Sequence, residues 1–443
     1  MYKVTAFALP ISAGGIINMV GSFIAMMMVA LLGKEQLAAG TLAVSTFLTI
    51  MTVTGTMFYA VGILISHHRG QDKTHLEIGY IVKNGFCLAM LLAFPSALGL
   101  WFIDRLLLFL GQDPHLVALT RDYFHFAALN TFSLFLGAVI AQFYVGIGKP
   151  RFSMMIALIS LPLTILASYG LVLGHLGLPL LGLSGITCAS FIVQSLMILV
   201  ILIVIFLDKN MKSYQLFNKL FLPNWEICKA IFTLGMPIGI QFGGELVAMT
   251  VATYLMGYFG VTALAASQIV GQYYMFMFVL IIGLTQALSI LISEAYGKED
   301  TILIKEYLHA SMVLLISCCL FCSIIFLKFP KELIQFYMST KTVDIRLESL
   351  SIIFFAISTF LLFVDGTRHL LSGALRGLHD SRGPMRIGIL AMWFVSLPTS
   401  YLLGFIFKGG PIGLRVGFLS GFIFAVILLL IRIRKKLHLI RKI

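Results

Sequence analysis

Asp365, Arg368 and His369 stand at i, i+3 and i+4 inside FVDGTRHLLSGALRGLHD, Phe363 to Asp380. On a helix that spacing puts a carboxylate, a guanidinium and an imidazole on one face. The stretch continues an apolar run that begins at Ser349, and the apolar pattern resumes with Leu370, Leu371 and Ala374. A second acid, Glu245, follows Gln241 by one turn in another apolar segment. A charge at the centre of a bilayer costs about 2.5–3.5 kcal/mol even on the translocon scale, so such groups face a bundle interior and mark a pathway. Two readings are open for each acid. Asp365 and Arg368 either neutralise one another and fix packing, or form a site where a proton or cation binds reversibly. Glu245 has no base on its own helix. It is either a protonated acid hydrogen-bonded in the core, or an acid that takes up and releases a proton. If the two acids are close, they titrate as a pair. His369 is a hydrogen-bonded structural group or a relay.

The elements that hold these residues must lie in lipid. The chain has 443 residues, 60% of them hydrophobic and 11% charged, where a soluble chain has about 25% charged. Mean hydropathy is +1.02. Apolar runs of this length read as membrane helices, and twelve are expected: 6–32, 37–66, 82–104, 121–146, 152–174, 184–207, 230–259, 267–294, 305–328, 349–376, 386–407 and 411–432. The fold class is therefore all-α integral membrane. The first run is too long for the core of a cleavable signal, so no signal peptide is expected.

A net charge of +13 invites a nucleic-acid partner, but the bases lie in short loops and near the C-terminus. That is the pattern of segments facing anionic lipid heads, so no nucleic-acid partner is expected. With the N-terminus in the cytoplasm, the cytoplasmic segments hold 21 Lys and Arg and the opposite side 9, Arg368 being the last of the 31. Both termini are expected inside, in a plasma (inner) membrane, and Arg368 is the only base expected at membrane depth. Glu294 closes the eighth helix, where cytoplasmic water is expected to reach it. The six cysteines, including Cys319 and Cys322, lack neighbouring His or carboxylate and read as packing residues; no metal site is expected.

The chain repeats itself. Pro10-Ile11 matches Pro237-Ile238, Leu37-Ala38-Ala39 matches Leu264-Ala265-Ala266, and Gly70 matches Gly297, each 227 positions apart. Further along, Gly146 matches Gly377 and Arg151 matches Arg382 at an offset of 231. Two six-helix bundles follow, 1–207 and 230–443, joined by a cytoplasmic linker at 208–229. Because each has an even number of helices, the repeat is parallel. Phe217, Leu220, Phe221, Leu222 and Trp225 suggest that part of the linker lies on the membrane surface. Pro162 and Pro398 fall inside the fifth and eleventh helices, as hinges or as ordinary membrane prolines.

Material for a substrate cavity stands in both halves. In the second, Gln272 repeats the face of Gln268, with Tyr273, Tyr274 and Phe276 beside it. In the first, Asn18, Met26 and Asn130 offer similar groups. Thioether and aromatic side chains repack around varied amphiphiles; packing or lipid contact is the alternative for each. No HExxH, Walker A or GxSxG pattern appears, so neither an enzyme nor an ATP-driven pump is expected.

Three stretches together resemble the multidrug and toxic compound extrusion (MATE) family: GMPIGIQFGGE (Gly235 to Glu245), LAASQIVGQ (Leu264 to Gln272), and VDGTRHLLSGALRGLHDSRGPM (Val364 to Met385). The resemblance covers nearly the whole chain. It implies export of organic cations or other small amphiphiles in exchange for inward protons or sodium, without a cofactor, by a rocking switch between outward- and inward-open states. It puts Glu245 and Asp365 where the family's coupling acids stand in this half, and Gln272 on a polar coupling position. One departure is clear. Where many members carry an acid in the first helix, this chain reads FIAMMMVALLG, Phe23 to Gly33, with Ala25 or Met26 in its place. Under the repeat, Glu245 overlies the neutral Asn18. Coupling is therefore expected from the second half, with Gln241, Gln272, Arg368 and His369 in support. A monomer is expected. The competing readings are a flippase for lipid-linked precursors, which would want a basic cavity, and a membrane scaffold that transports nothing.

Overall fold

The structure, a computed structural model, describes residues 1–216, 223–338 and 344–440. Twelve of its helices are long and apolar enough to cross a membrane. They are α1 Tyr2–Ala30, α2 Lys34–Gly70, α3 His75–Trp101, α4 Pro114–Gly146, α5 Pro150–Leu173, α6 Ser184–Leu207, α7 Trp225–Gly257, α8 Val261–Gly297, α9 Thr301–Lys328, α10 Ile345–Gly377, α11 Arg382–Ile406 and α12 Gly410–Ile440. In hydrocarbon every backbone N–H and C=O must be satisfied within the segment, which leaves the helix as the available form for such runs.

Some helices begin before their apolar runs do. The third starts at His75 rather than 82, and the fourth at Pro114 rather than 121. The reason is capping. The Thr74 hydroxyl accepts from Glu77 N–H and the Asp113 carboxylate from His115 N–H, with Pro114 at the first helical position. Polar residues that read as loop are first turns with satisfied donors. Of the linker's surface residues, Phe217, Leu220, Phe221 and Leu222 lie outside the described residues; Trp225 opens α7 and is 69% exposed.

The repeat is visible in the elements. Helices α2 and α8 are both bounded 227 positions apart, Lys34 with Val261 and Gly70 with Gly297; α4 and α10 are bounded 231 apart, Pro114 with Ile345 and Gly146 with Gly377. The residue ahead of α2 is Gly33 at φ +110° and that ahead of α8 is Gly260 at φ +97°. Only glycine holds that backbone without strain. The chain packs as two units, Ala13–Gly239 and Met1–Ser12 with Ile240–Ile443. The division falls inside α1 and α7 rather than in the linker, at positions again 227 apart. In the second unit Ser12 packs on Gly283 of α8 so closely that a Cβ there would overlap it, and the Ser12 hydroxyl donates to the Leu280 carbonyl. In the first unit Gly239 lies against the Val53 carbonyl of α2 in the same way.

The two prolines differ. Helix α5 stays α-helical through Pro162. Helix α11 opens into π-helix over Leu390–Ser396 and Leu402–Ile406, on either side of Pro398. A proline lacks the N–H that an α-helical ladder needs, and a widened turn relieves the clash. The Thr399 hydroxyl, 2.6 Å from the Val395 carbonyl, re-satisfies backbone there.

Candidate functional site

Helices α7 and α10 carry the charged residues, and α8 and α12 wall them in. Helix α10 lies close on α8 through glycines: a Cβ at Gly373 would meet the Thr285 carbonyl, and one at Gly377 the Ser289 carbonyl. Glu245 is 5% exposed, while Asp365, Arg368 and His369 are 0%, 1% and 1%. All four belong to the unit that contains residues 240–443.

Arg368 joins the two acids. Its Nη1 and Nη2 donate to Oε1 and Oε2 of Glu245, the second at 3.0 Å. Its Nε and Nη2 donate to Oδ1 of Asp365 at 2.9 and 2.7 Å. The choice between a pair confined to α10 and a free Glu245 is thus replaced by a bridge across two helices. Gln241 Nε2 donates to Glu245 Oε1 at 2.9 Å, and Tyr274 Oη donates to Asp365 Oδ2 at 2.7 Å. Every carboxylate oxygen of the pair has a protein donor. The fork geometry of a guanidinium suits this double duty, which an ammonium would not perform.

His369 stands 2.7 Å from Arg368 Nη2 through its Nε2. The other ring nitrogen, Nδ1, has no hydrogen-bond partner among the described residues. Rings enclose the cluster. Phe242 stacks on His369 at 5.9 Å, Phe278 meets it edge-on at 4.9 Å, and Phe422 lies 5.0 Å beneath the Arg368 guanidinium.

Within direct contact, two carboxylates face one guanidinium. One further positive charge would balance the two carboxylates against the single guanidinium. Breaking such a buried pair on one side leaves an uncompensated charge and is costly.

Two expectations are corrected. Arg368 is not the only base buried in the membrane part: Arg376 is 3% exposed, and its Nη2 donates to Gln241 Oε1 at 2.8 Å, with the guanidinium 4.9 Å above Phe242. Its place at the predicted helix end read as interfacial, but α7 packs over that last turn. Glu294 does not face water either. It is 6% exposed and lies 3.3 Å from Lys3 and 3.4 Å from Lys298. Lys3 reaches it because the start of α1 packs in this unit.

The remaining candidates are dispersed. Tyr274 is in the cluster, whereas Tyr273 donates to the Leu333 carbonyl at 2.8 Å. Gln272 is exposed, and Phe276 is 40% exposed. In the first unit Asn18 is exposed and Met26 half-buried. Asn130 is 3% exposed, and its Oδ1 has no partner among the described residues. Two features escaped sequence reasoning besides Arg376. One is a cavity of about 170 Å³ between α7, α8, α10 and α12, walled in part by Tyr274 and Phe422. The other is Arg415, which lines it. An arginine five residues inside a helix start reads as a side chain reaching back to the interface, so no local signal separated it.

Comparison with known proteins agrees with this architecture. The MatE family profile matches residues 10–169 and 237–402. A probable multidrug resistance protein NorM of Rhizobium meliloti is 30% identical over 408 residues, covering 91% of this chain and 86% of that one. A protein of the same description from Synechocystis is 27% identical, covering 97% and 93%. Among solved structures, an outward-facing multidrug resistance MATE family transporter of the MOP superfamily superposes with a TM-score of 0.90 at 18% identity, covering 100% of this chain and 96% of that one.

Proposed function

Because the chain belongs to the MatE family, a family of membrane transporters and not of enzymes, we propose that it is a secondary active exporter of small amphiphilic or cationic organic molecules, driven by inward protons or sodium. The observation that carries the reading is the bridge Glu245–Arg368–Asp365, buried midway along two membrane-length helices. A fold needs no such cluster for packing; intramembrane ionisable groups mark ion and proton pathways. The relatives described as probable multidrug resistance proteins support the substrate class.

The coupling step is exchange at the cluster. A proton or sodium ion binding a carboxylate of Glu245 or Asp365 competes with Arg368 for the same oxygens. Release of the guanidinium changes which helices the cluster ties together, α7 to α10. Gln241 and Tyr274 hold the second oxygens during the exchange. A shift in that tie is the differential interaction a rocking, alternating-access cycle requires. The protein acts as a monomer in the plasma (inner) membrane with both termini in the cytoplasm, and segment 208–229 is its cytoplasmic linker. The flippase reading wants a broadly basic central cavity; Arg368 is committed to carboxylates and Arg376 to an amide, and Arg415 is the one base among the residues lining the cavity.

The test is efflux of ethidium from liposomes containing the purified protein, with a pH gradient or a sodium gradient imposed alone. One of the two drives efflux if the reading holds. Flux under neither gradient overturns it.

A further inference from the structure

Arg415 also lies within a membrane-length helix, and its surroundings are unlike those of Arg368. Its Nη1 donates to Ser358 Oγ at 3.0 Å; its Nη2 donates to the Ser267 carbonyl and hydroxyl, both at 3.2 Å. The Phe354 ring lies 4.2 Å from it. All of these partners are neutral, and among the described residues no carboxylate pairs with it. A guanidinium has five N–H donors. Among the described residues, those bonds leave the Nε hydrogen and one Nη1 hydrogen without an acceptor. A cation placed inside a membrane protein usually pairs with an anion, and here the described residues supply none.

The open side of Arg415 is the 170 Å³ cavity. Its other walls are mostly apolar, Met249, Leu361, Phe418 and Phe422 among them, with the Ser267 and Ser358 hydroxyls beside the guanidinium. A cavity of about 150 Å³ holds one benzene ring. We infer that this cavity binds the anionic end of an aromatic amphiphile, an aryl carboxylate, with the carboxylate on Arg415 and the ring against Phe418, Phe422 and Tyr274. A carboxylate accepts a charge-assisted hydrogen bond from a free N–H of the guanidinium, and that pairing discriminates against a neutral or cationic end of the same shape.

The site touches the cluster through two side chains. Tyr274 lines the cavity and donates to Asp365; Phe422 lines it and lies beneath Arg368. A ring seated there presses on the groups that hold the coupling acids. That the bound molecule is cargo rests on the export reading above; its binding does not.

The experiment is equilibrium binding of radiolabelled benzoate to the purified full chain in lipid nanodiscs, with benzyl alcohol and benzylamine as neutral and cationic competitors. Saturable benzoate binding is expected, displaced by neither competitor at equal concentration. Arg415→Gln should weaken it at least tenfold and Arg415→Lys should restore part. Ser358→Ala, which frees a donor of Arg415, should retain it. If Arg415→Gln does not fold, the competitor series on the unaltered protein together with Ser358→Ala decides. The proposal is overturned by any of three results: no saturable benzoate binding, equal affinity in a folded Arg415→Gln protein, or displacement by benzyl alcohol as effective as by benzoate itself. Benzoate binding without gradient-driven ethidium efflux keeps the site and removes the export reading; efflux without benzoate binding does the reverse.

Discussion

The two units are built on one repeat and bury different chemistry. Among the described residues, every polar side chain buried in residues 13–239 is neutral: serine, threonine, asparagine or glutamine. The other unit buries Glu245, Glu294, Asp365, Arg368, His369 and Arg376. Helices α4 and α10 align end to end at the 231 offset, which sets Asp365, Arg368 and His369 over Leu134, Gly137 and Ala138. At Gly137 a Cβ would meet the Gln194 side chain, so the first unit fills that space with a neutral amide where the second has a guanidinium. The same scaffold forms with and without charges at these positions. The charges are therefore not what the repeated helix arrangement requires; under the export reading they serve transport.

The comparison breaks most readily at Arg368. Replacing it with methionine leaves two buried carboxylates facing each other, and losing one partner of a buried pair costs about 3–5 kcal/mol. Arg368→Met should lower the thermal midpoint of the detergent-solubilised protein more than any single neutral substitution in residues 13–239; an unchanged midpoint would show the cluster to be dispensable. Next come Glu245→Gln and Asp365→Asn. Each keeps the shape of the site and removes one charge, so each should cut gradient-driven ethidium efflux at least tenfold while the protein still elutes as a folded species. Gln241→Leu is smaller. It strips a donor from Glu245 and an acceptor from Arg376, a loss of about 1–3 kcal/mol for buried groups left unpaired, read in the melting curve. The smallest effect is expected from Asn130→Ala in the neutral unit, where an unpartnered oxygen is removed: within about 1 kcal/mol in stability, with efflux kept.

Much of this was legible beforehand because membrane constraints are severe. Lipid leaves few alternatives to a helix, so the apolar runs fix twelve of them, and an acid in such a run declares itself. Glu245, Asp365 and Arg368 stood out for that reason. Their bridge did not, because it joins residues 123 positions apart and depends on how α7 meets α10. Tyr274 was noted for its ring; its hydroxyl bond to Asp365 spans 91 positions. Arg376 and Arg415 were hidden at helix ends, where a base normally reaches water and only packing shows that it does not. The π-helical turns around Pro398 and the division of α1 and α7 between units are likewise matters of packing, without a local signature.

The central claim is that one unit alone couples transport to a cation. The direct measurement is cation uptake during ethidium release, in liposomes carrying the unaltered protein, Glu245→Gln with Asp365→Asn, or Asn18→Ala with Asn130→Ala. Uptake of protons or sodium with dye release is predicted for the unaltered protein and the Asn18, Asn130 variant, and no coupled uptake for the Glu245, Asp365 variant. Coupled uptake that persists without both acids would contradict the account.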